Sequence, residues 1–551
     1  MRGNLKRRIA GFIFVVLVFS ATHSPAAEFA GGTGELNDPY QIATAAQLIS
    51  IGDDPNLLNK HFELVNDIDL DPNLPSGKVF TKAVIASYKW IHIEGPFYEN
   101  THFSGSLDGN GHSISNMIIN GNAGNRTEYF GLIGYLDSDG IVKDIKLRDI
   151  KIFNVGRQVG GLVGWNEGKV LRCSVTGNVS GEGLIGGLVG NNGGDNVGSI
   201  IACSAFCNIQ IVPAQFSGTA GGLVGRNAGY ISNCFATGTV TGDIRLGGLV
   251  GNNFGGYISN CYAIGTVTGE EYVGGLIGVN YGNAVSQCYA ACEIIAYSND
   301  FVGGLIGISE GQTTGSFWDV QVSGQKISAG GIGLPSAKLQ DSRTYLSAKW
   351  DMTGETSNGV ADIWTITEPN TYPQLTRFTE QYTVTQLPGS GTSDDPYEIV
   401  TTVDLMAIND YDINAHYVLV ADIDMSGMVW ATAPILFFDG TFDGRGHTIS
   451  NLNIKGSDYL GLFGKILTNG VVTNLTIQDA YIIGNKRVGI LAGVSLGHIT
   501  NCHVTGNVTG VSNVGDLASS AKVKFISDCT SDVALSGNEY VYNIANLVIS
   551  N

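Results

Sequence analysis

A repeated block of glycine and apolar residues limits the fold of this chain more than any other feature of its sequence. The run Gly-Gly-Leu-Val-Gly begins at Gly221 and again at Gly247, 26 residues later, and both copies continue through Ile-Ser-Asn-Cys to Gly-Thr-Val-Thr-Gly. Similar blocks begin at Gly160, Gly186, Gly274 and Gly303. A fixed period of this length, with β-branched residues between glycine-marked turns, predicts a solenoid in which each repeat forms one coil.

The apolar residues of each repeat fall into three short runs, which predict three strands and three turns per coil. In one repeat these runs are Leu249-Val250, Tyr257-Ile258 and Thr266-Val267-Thr268, separated by Gly or Asn and too interrupted for helix. Stacked coils place equivalent residues about 4.8 Å apart on parallel strands and pair their backbones. The predicted fold is an all-β, right-handed parallel β-helix, with the hand taken by analogy from solenoids of similar coil length.

Two residue types recur at fixed positions of the repeat and predict ladders inside the coils. Asparagine tolerates the left-handed backbone and bonds turn amides through its side chain, which suits the positions Asn166, Asn192, Asn227, Asn253 and Asn280. Cysteine recurs at Cys173, Cys203, Cys234, Cys261, Cys288, Cys502 and Cys529. Exported proteins often form disulfides, but Cβ atoms about 4.8 Å apart exceed the roughly 3.8 Å that a disulfide prefers. A column of buried free thiols is therefore predicted.

The chain contains two similar starts, which predict two tandem lobes with an N-terminal cap each. Residues 389–399 repeat the pattern of residues 32–42, and a short helix with Thr44 as N-cap is predicted to Ile51. The predicted boundaries are 28–377 for the first lobe and 378–551 for the shorter second lobe. The first lobe is predicted to close with Phe317 to Asp319, a helix from Ser336 to Lys349, and the segment from Trp350 to Leu375.

The N-terminus and the charge indicate export. Residues 1–27 combine four basic residues, an apolar run and a small-residue ending, which is typical of a secretory signal peptide. Removing these four cations moves the net charge from −19 to −23. This acidity argues against nucleic acid as a partner, and no later apolar run has the length of a transmembrane helix. The predicted location is extracellular or at the cell surface.

Two groups of aromatic residues are candidates for ligand binding. Phe235, Tyr262 and Tyr289 follow the cysteine in consecutive coils, so they form either an outward stripe for sugar rings or proteins, or a packed column inside the protein. The choice depends on a bend that must lie between Ile231 and Cys234. The second group belongs to an insertion beside the first cap, for which extra cap packing is the alternative: Trp90, Phe97 and Tyr98.

Candidates for metal binding and catalysis are weak. Asp67, Asp69 and Asp71 alternate as a strand-borne Ca²⁺ site would need, yet no glycine follows at calcium-loop spacing, and solvated acids are the alternative. Ser309 and Ser495 match Gly-x-Ser-x-Gly but occupy the asparagine position of the repeat. The turn residues His112 and His447 are interpreted as structural. No catalytic residue and no required cofactor is predicted.

The Gly-Leu-(Val/Ile)-Gly blocks, together with Gly131-Leu132-Ile133-Gly134 and Gly461-Leu462-Phe463-Gly464, resemble the GLUG motif of bacterial surface proteins. The resemblance implies an exported or surface-exposed repeat protein, and the motif carries no known catalytic residue. Some relatives also contain a metallopeptidase domain, but this chain lacks His-Glu-x-x-His. The predicted function is a non-catalytic adhesion or binding module for glycans or proteins. The alternatives are a polysaccharide lyase or hydrolase on a β-helix, and a passive spacer.

Overall fold

The computed structural model describes residues 28–87, 101–121, 129–194, 198–212, 218–282, 284–298, 300–355, 362–369, 371–378, 387–408, 415–427, 430, 433–456, 458–521 and 525–542. These residues form an all-β structure of stacked parallel coils, which confirms the predicted solenoid. The predicted signal peptide lies outside the described residues.

Each full coil has four strands rather than the three predicted. The coil that begins at Ile244 contains Ile244–Gly247, Val250–Asn253, Tyr257–Ser259 and Tyr262–Gly269. The prediction was wrong because the Gly-Gly-Leu block does not lie within one strand: its first glycine ends one strand, and the chain bends before the next strand begins at Val250. A Cβ added at Gly247 would lie 2.0 Å from the carbonyl oxygen of Val250, so only glycine fits this bend. We number the four sheets 1 to 4 in this coil order.

The first coil series builds these four sheets from strands that pair with their equivalents in neighbouring coils. Sheet 1 contains Tyr129–Phe130, Gln158–Gly160, Leu184–Gly186, Thr219–Gly221, Ile244–Gly247, Glu271–Gly274 and Val302–Gly303. Sheet 2 contains Ile133–Leu136, Val163–Asn166, Val189–Asn192, Val224–Asn227, Val250–Asn253, Ile277–Asn280 and Ile306–Ser309. Sheet 3 contains Tyr40–Ile42, His61–Leu64, Ser106–Asp108, Ile141–Lys143, Lys169–Leu171, Ser199–Ile201, Tyr230–Ser232, Tyr257–Ser259, Ala284–Ser286 and Gln312–Thr314. Sheet 4 contains Ile68–Asp69, Ser113–Ser115, Ile118–Asn120, Lys146–Val155, Ser174–Gly181, Ser204–Ile211, Phe235–Thr241, Tyr262–Gly269, Tyr289–Ala296, Phe317–Asp319 and Ile332–Leu334.

A second coil series repeats this arrangement with its own sheets and its own core. Its sheet 1 contains Asp458–Leu460, Lys486–Val488, Ser512–Gly515 and Glu539–Tyr542, and its sheet 2 contains Ile435–Phe438, Phe463–Ile466 and Ala492–Ser495. Its sheet 3 contains Tyr397–Ile399, His416–Leu419, Thr441–Asp443, Val471–Thr473, His498–Thr500 and Ile526–Ser527. Its sheet 4 contains Ile423–Asp424, Thr448–Ser450, Asn453–Lys455, Thr476–Ile483, His503–Thr509 and Thr530–Ser536. The exact domain boundaries proposed from the sequence stay a prediction.

Equivalent leucines form a single file through the core of the first series. The backbone N–H of Leu223 donates to Leu249 O at 3.0 Å, and that of Leu249 donates to Leu276 O at 2.9 Å. All three side chains are fully buried. This register is the in-line stacking that the repeat predicts.

A left-handed residue before each cysteine turns the chain from sheet 3 into sheet 4. The φ angles are 52° at Asn233 and 50° at Asn260, and the same corner recurs at Arg172, Ala202 and Gln287. Because the chain bends there, Ile231 and Cys234 both point into the core although they are three residues apart.

Both starts carry the predicted capped helix. The first helix spans Ala45–Asp53, and Thr44 and Gln47 form its capping box. In the second start, the helix Thr402–Ala407 has a capping box made by Thr401 and Asp404. The 3₁₀ turn Pro55–Leu57 follows the first helix. These segments pack on the first strands of each series and cover core that would otherwise face water.

The segment after the first series differs from the prediction. The helix expected from Ser336 to Lys349 is two short helices, Ser336–Leu339 and Ser342–Ser347, because Asp341 accepts the N–H of Arg343 and caps a new helix. A further helix spans Val320–Ser323, Trp364–Thr365 pairs antiparallel with Gln374–Leu375, and a 3₁₀ turn spans Thr376–Phe378. We call residues 334–378 the closing segment.

Candidate ligand-binding surfaces

The asparagines predicted as a ladder form a continuous buried chain of amide hydrogen bonds. Each Nδ2 donates to the Oδ1 of the next coil, at 2.7 Å from Asn192 to Asn227 and 2.8 Å from Asn227 to Asn253. The ladder begins with Asn166 and continues from Asn280 to the hydroxyl of Ser309 at 2.9 Å. All five amides are fully buried, so they tie coils together and present no surface to a ligand.

Ser309 and Ser495 each end a strand of sheet 2 and bond to the turn that follows, so they are not placed as nucleophiles. The hydroxyl of Ser309 donates to Gly311 O at 3.1 Å, and that of Ser495 donates to Gly497 O at 3.3 Å. Each serine therefore bonds the turn that asparagine bonds in the other coils, as in Asn227 Nδ2 to Gly229 O.

The cysteines are buried free thiols at the predicted positions. The backbone N–H of Cys173 donates to the sulfur of Cys203 at 3.3 Å, and that of Cys203 donates to Cys234 at 3.2 Å, so the thiols of Cys173, Cys203, Cys234, Cys261 and Cys288 stack from coil to coil. Cys207 and Cys292 occupy a second position, paired in register with Gly238 and Gly265. Burial raises the pKa of each of these two thiols to about 12. Protonated and enclosed, they are unsuited to nucleophilic chemistry.

Phe235, Tyr262 and Tyr289 form a stacked column on the outer side of sheet 4, and the closing segment covers it. Ring centroids are 4.8 Å apart between Phe235 and Tyr262 and 5.0 Å apart between Tyr262 and Tyr289. Their exposed fractions are 5%, 7% and 0%. The column is therefore a packed element in this structure and not the exposed stripe considered from the sequence.

The cover over this column is made by aromatic residues far away in sequence. Trp364 lies 6.0 Å from Tyr262 and 6.1 Å from Tyr289 between ring centroids, and Phe378 meets Phe235 edge-on at 4.9 Å. The hydroxyl of Tyr289 donates to Pro373 O at 2.8 Å. The closing segment thus runs back along the side of the coils, and does more than seal the last one.

The insertion residues Trp90, Phe97 and Tyr98 lie outside the described residues, but an aromatic cluster is described beside the two ends of that insertion. We define the aromatic cluster as Tyr129, Tyr135, Trp165 and His102. Ring centroids of Tyr129 and Trp165 are 5.3 Å apart, those of Tyr135 and Trp165 are 6.4 Å apart, and those of His102 and Tyr135 are 5.6 Å apart. All four side chains are partly exposed.

Two carboxylates hold the rings of the aromatic cluster. The indole N–H of Trp165 donates to Glu167 Oε1 at 3.3 Å, and His102 Nε2 lies 3.6 Å from Asp137 Oδ2. Burial, followed by the charge of Glu167, raises the pKa of Tyr135 above its ordinary value. The phenol therefore stays protonated across the physiological range. The cluster combines apolar rings with hydrogen-bonding groups at one partly exposed corner.

A signal for this cluster exists in the sequence but is easy to miss. Tyr135 and Trp165 are in-register partners on adjacent strands of sheet 2. Both follow Gly-Leu-(Val/Ile)-Gly directly, at a position that Asn191, Arg226 and Asn252 fill in later coils. Because this position points outward, an aromatic residue there in two adjacent coils marks a surface feature.

The three aspartates considered for calcium accept hydrogen bonds from other protein groups, Asp67 and Asp69 from a neighbouring coil and Asp71 within its own turn. Asp67 accepts Ser113 N–H at 2.7 Å, Asp69 accepts Asn116 Nδ2 at 2.9 Å, and Asp71 accepts Asn73 N–H at 2.9 Å. Within the described ranges, no group of three His, Cys, Asp or Glu side chains has the arrangement of a metal site. Calcium binding stays an alternative to the interpretation as solvated acids.

The two turn histidines form equivalent pairs with aspartates in the two starts. His112 Nδ1 lies 3.5 Å from Asp67, and His447 Nδ1 lies 3.1 Å from Asp422. The pKa of each aspartate is lowered mainly by a hydrogen bond that its carboxylate accepts, from Ser113 at Asp67 and from Thr448 at Asp422. Each pair fastens the turn that enters sheet 4.

Comparison with known proteins identifies the repeat. The family described as the GLUG motif matches residues 156–180, 216–241 and 242–268. The chain is 30% identical over 608 aligned positions to Halomucin of Haloquadratum walsbyi, covering 90% of this chain. It is 32% identical to a Gly-rich membrane protein of Evansella cellulosilytica over 181 positions, covering 30% of this chain. The chain spans 6% and 18% of the lengths of these two relatives.

Similar solved structures are more distant. An immunoglobulin A1 protease from Bacteroides ovatus is 19% identical with a TM-score of 0.38, covering 63% of this chain and 95% of that one. A second structure, named IgA1 protease, is 17% identical with a TM-score of 0.33, covering 49% of this chain and 21% of that one. Similarity at this level carries no argument about activity. In the part of the chain that is described, no helix is long and apolar enough to cross a membrane.

Proposed function

This chain is a GLUG-motif repeat protein, and on that basis we propose that it is a non-catalytic glycan-binding module at the cell surface or in the extracellular space. The similarity to Halomucin and to a Gly-rich membrane protein supports this location. The acidic charge and the predicted signal peptide agree with it. The observation that carries the binding role is the aromatic cluster.

The cluster suits sugars because it offers apolar and polar contacts side by side. Sugar rings have C–H faces that pack on aromatic rings and hydroxyl groups that bond to carboxylates and phenols. Trp165 and Tyr129 supply two rings whose centroids are 5.3 Å apart, and the carboxylate of Asp137 lies beside His102 at the same corner. A rigid sheet holds Tyr135 and Trp165 in register, so little conformational entropy is lost when a ligand binds.

A binding role fits this site better than a catalytic one. Glu167 accepts the indole N–H of Trp165, and Asp137 pairs with His102, so both carboxylates position rings. Glu167 is also buried, with an exposed fraction of 8%. A glycosidase needs two carboxyl groups facing the same sugar bond.

The test is a polysaccharide and glycan-array binding screen on the chain and on Trp165→Ala. We expect binding of at least one glycan class, with affinity reduced about tenfold or more by the substitution, since each lost aromatic contact is worth roughly 1–2 kcal/mol. The matched control is Tyr481→Ala, which removes an outward ring of the second coil series that is 43% exposed.

The outcomes separate the alternatives. An equal loss in both variants, or no loss in Trp165→Ala, would reject the aromatic cluster as the binding site. Failure to bind any glycan, with no turnover of polysaccharides, would leave the spacer role. Release of sugar fragments would favour the enzyme.

A further inference from the structure

The second coil series packs against the outer side of sheet 3 of the first series. Strand alternation turns Ile141, Leu171 and Ile201 outward, yet their exposed fractions are 7%, 3% and 6%. Further along the same sheet, Tyr459 of the second series meets Tyr230 and Tyr257 edge-on, with ring centroids 5.9 Å and 5.4 Å apart. At this point the contact between the two series is therefore aromatic.

This contact leaves an open cleft between the two capped starts, with a volume of about 350 Å³. Ile141 and Leu171 lie on its first-series side, with Glu63, Asp108 and Lys143 on the strands around them. The second series contributes the loop Ser390 to Ser393 and the side chains of Tyr397 and His416. Ligand pockets are commonly found at such junctions and begin at about this volume.

The groups around the cleft are held in place by bonds that the structure describes. Lys143 Nζ lies 3.2 Å from Asp108 Oδ2, and Gln41 Nε2 donates to Glu63 Oε1 at 3.3 Å. Carboxylates, an ammonium group and hydroxyls thus surround a floor with apolar side chains. The cleft offers acceptors and donors in alternation beside an aromatic ring.

We propose that this cleft binds a short neutral oligosaccharide, of about disaccharide size, as a second sugar site. Carboxylates accept hydrogen bonds from sugar hydroxyls, the Lys143 ammonium donates to sugar oxygens, and the floor and Tyr397 contact C–H faces. The two negative charges of Glu63 and Asp108 exceed the one positive charge of Lys143, so an anionic ligand is disfavoured. The positive charge of Lys143 in turn disfavours a cationic ligand. The class of ligand rests on the proposed function, but the site is separate from the aromatic cluster.

The test is a titration of the intact chain with lactose, cellobiose and maltose, in which binding is measured by calorimetry and by saturation-transfer NMR. We expect at least one of these probes to bind, and we expect Asp108→Asn and Lys143→Met each to weaken it about tenfold. Ser393→Trp places bulk at an exposed lining position and should abolish binding. The matched control is Asp144→Asn, which breaks the ion pair with Arg172 at 2.6 Å in the next coil and should leave binding unchanged.

The variants distinguish this site from the first one. Disaccharide binding that survives Trp165→Ala but is lost in Ser393→Trp supports the cleft. The cleft proposal would be overturned if Trp165→Ala abolished disaccharide binding while Ser393→Trp left it unchanged. Equal losses of disaccharide affinity in Asp108→Asn and Asp144→Asn would also overturn it. If no disaccharide binds while Trp165-dependent glycan binding persists, the cleft proposal fails and the proposed function stands.

Discussion

Replacing Asn227 with alanine tests whether the buried amide ladder holds the coils together. Asn227 accepts Asn192 Nδ2 at 2.7 Å and donates to Asn253 Oδ1 at 2.8 Å. Its amide also accepts Gly229 N–H at 3.1 Å and donates to Gly229 O at 3.2 Å. One truncation thus removes two contacts between coils and two within a turn.

The expected loss follows from the groups left behind. Alanine leaves Asn253 Oδ1 and the N–H of Gly229 without the partners described above, inside a region that water does not reach. A buried polar group without a partner costs about 1–3 kcal/mol. We therefore expect Asn227→Ala to lower the free energy of unfolding by roughly 3–5 kcal/mol, a large share of a typical total of about 5–15 kcal/mol.

The assay is equilibrium unfolding in urea, followed by circular dichroism, with hydrogen exchange measured at the turn around Gly229. The matched control is Asn208→Ala, because Asn208 also belongs to a ladder, bonding Asn178 at 3.1 Å and Thr239 at 3.0 Å, but is exposed to water. Its loss should be about 0.5 kcal/mol or less. Asn227→Ser should fall between the two, since the hydroxyl of Ser309 already fills this position in one coil.

The reasoning is refuted if Asn227→Ala and Asn208→Ala destabilise the protein equally. Equal effects would mean that burial does not decide what the ladder contributes. Faster exchange confined to the Gly229 turn, without a change in global unfolding, would show that the ladder acts only within its own coil.

Two further predictions concern protonation. Hydrogen bonds from Thr448 and His447 lower the pKa of Asp422 in the folded chain. The stability that the ionised Asp422 contributes is therefore complete above the pKa of the unfolded chain, about 4, and is lost as the pH falls through the lower pKa of the folded chain. Asp422→Asn should therefore flatten the fall of the thermal midpoint between about pH 5 and pH 2. Identical acid profiles for Asp422→Asn and the unmodified chain would contradict this. Burial raises the pKa of the Cys207 and Cys292 thiols to about 12, so both should resist alkylation by iodoacetamide at pH 8 in the folded chain and react when the chain is unfolded in urea. Mass spectrometry measures the alkylation. Rapid labelling of the folded chain would show that these thiols are accessible.

The sequence carries information about everything that repeats with the coil. Leu223, Leu249 and Leu276 could be aligned from their spacing, and their stacking follows because each coil must offer the next one the same backbone edge. The amides from Asn166 to Asn280 were predictable for the same reason, as was the Thr44 cap, whose bonds lie within four residues. The number of strands in each coil could not be predicted, because the Gly-Gly-Leu block has the composition of a strand but contains a bend in the backbone.

The candidate sites depend on contacts without a period. Phe235, Tyr262 and Tyr289 align from sequence, but whether they meet water depends on Trp364 and Phe378, which return from about a hundred residues further along the chain. The cleft is lined by residues of both coil series, which only the packing of the second series beside sheet 3 brings together.

The repeat period, the internal ladders and the capped starts can be read from the amino-acid sequence, since they follow from local backbone preferences and from identical residues stacking on one another. Only the folded chain shows which aromatic side chains are covered, which remain partly exposed and where the two coil series leave a cleft. Those outcomes depend on side-chain packing between segments far apart in the chain, and no repeat period encodes that packing.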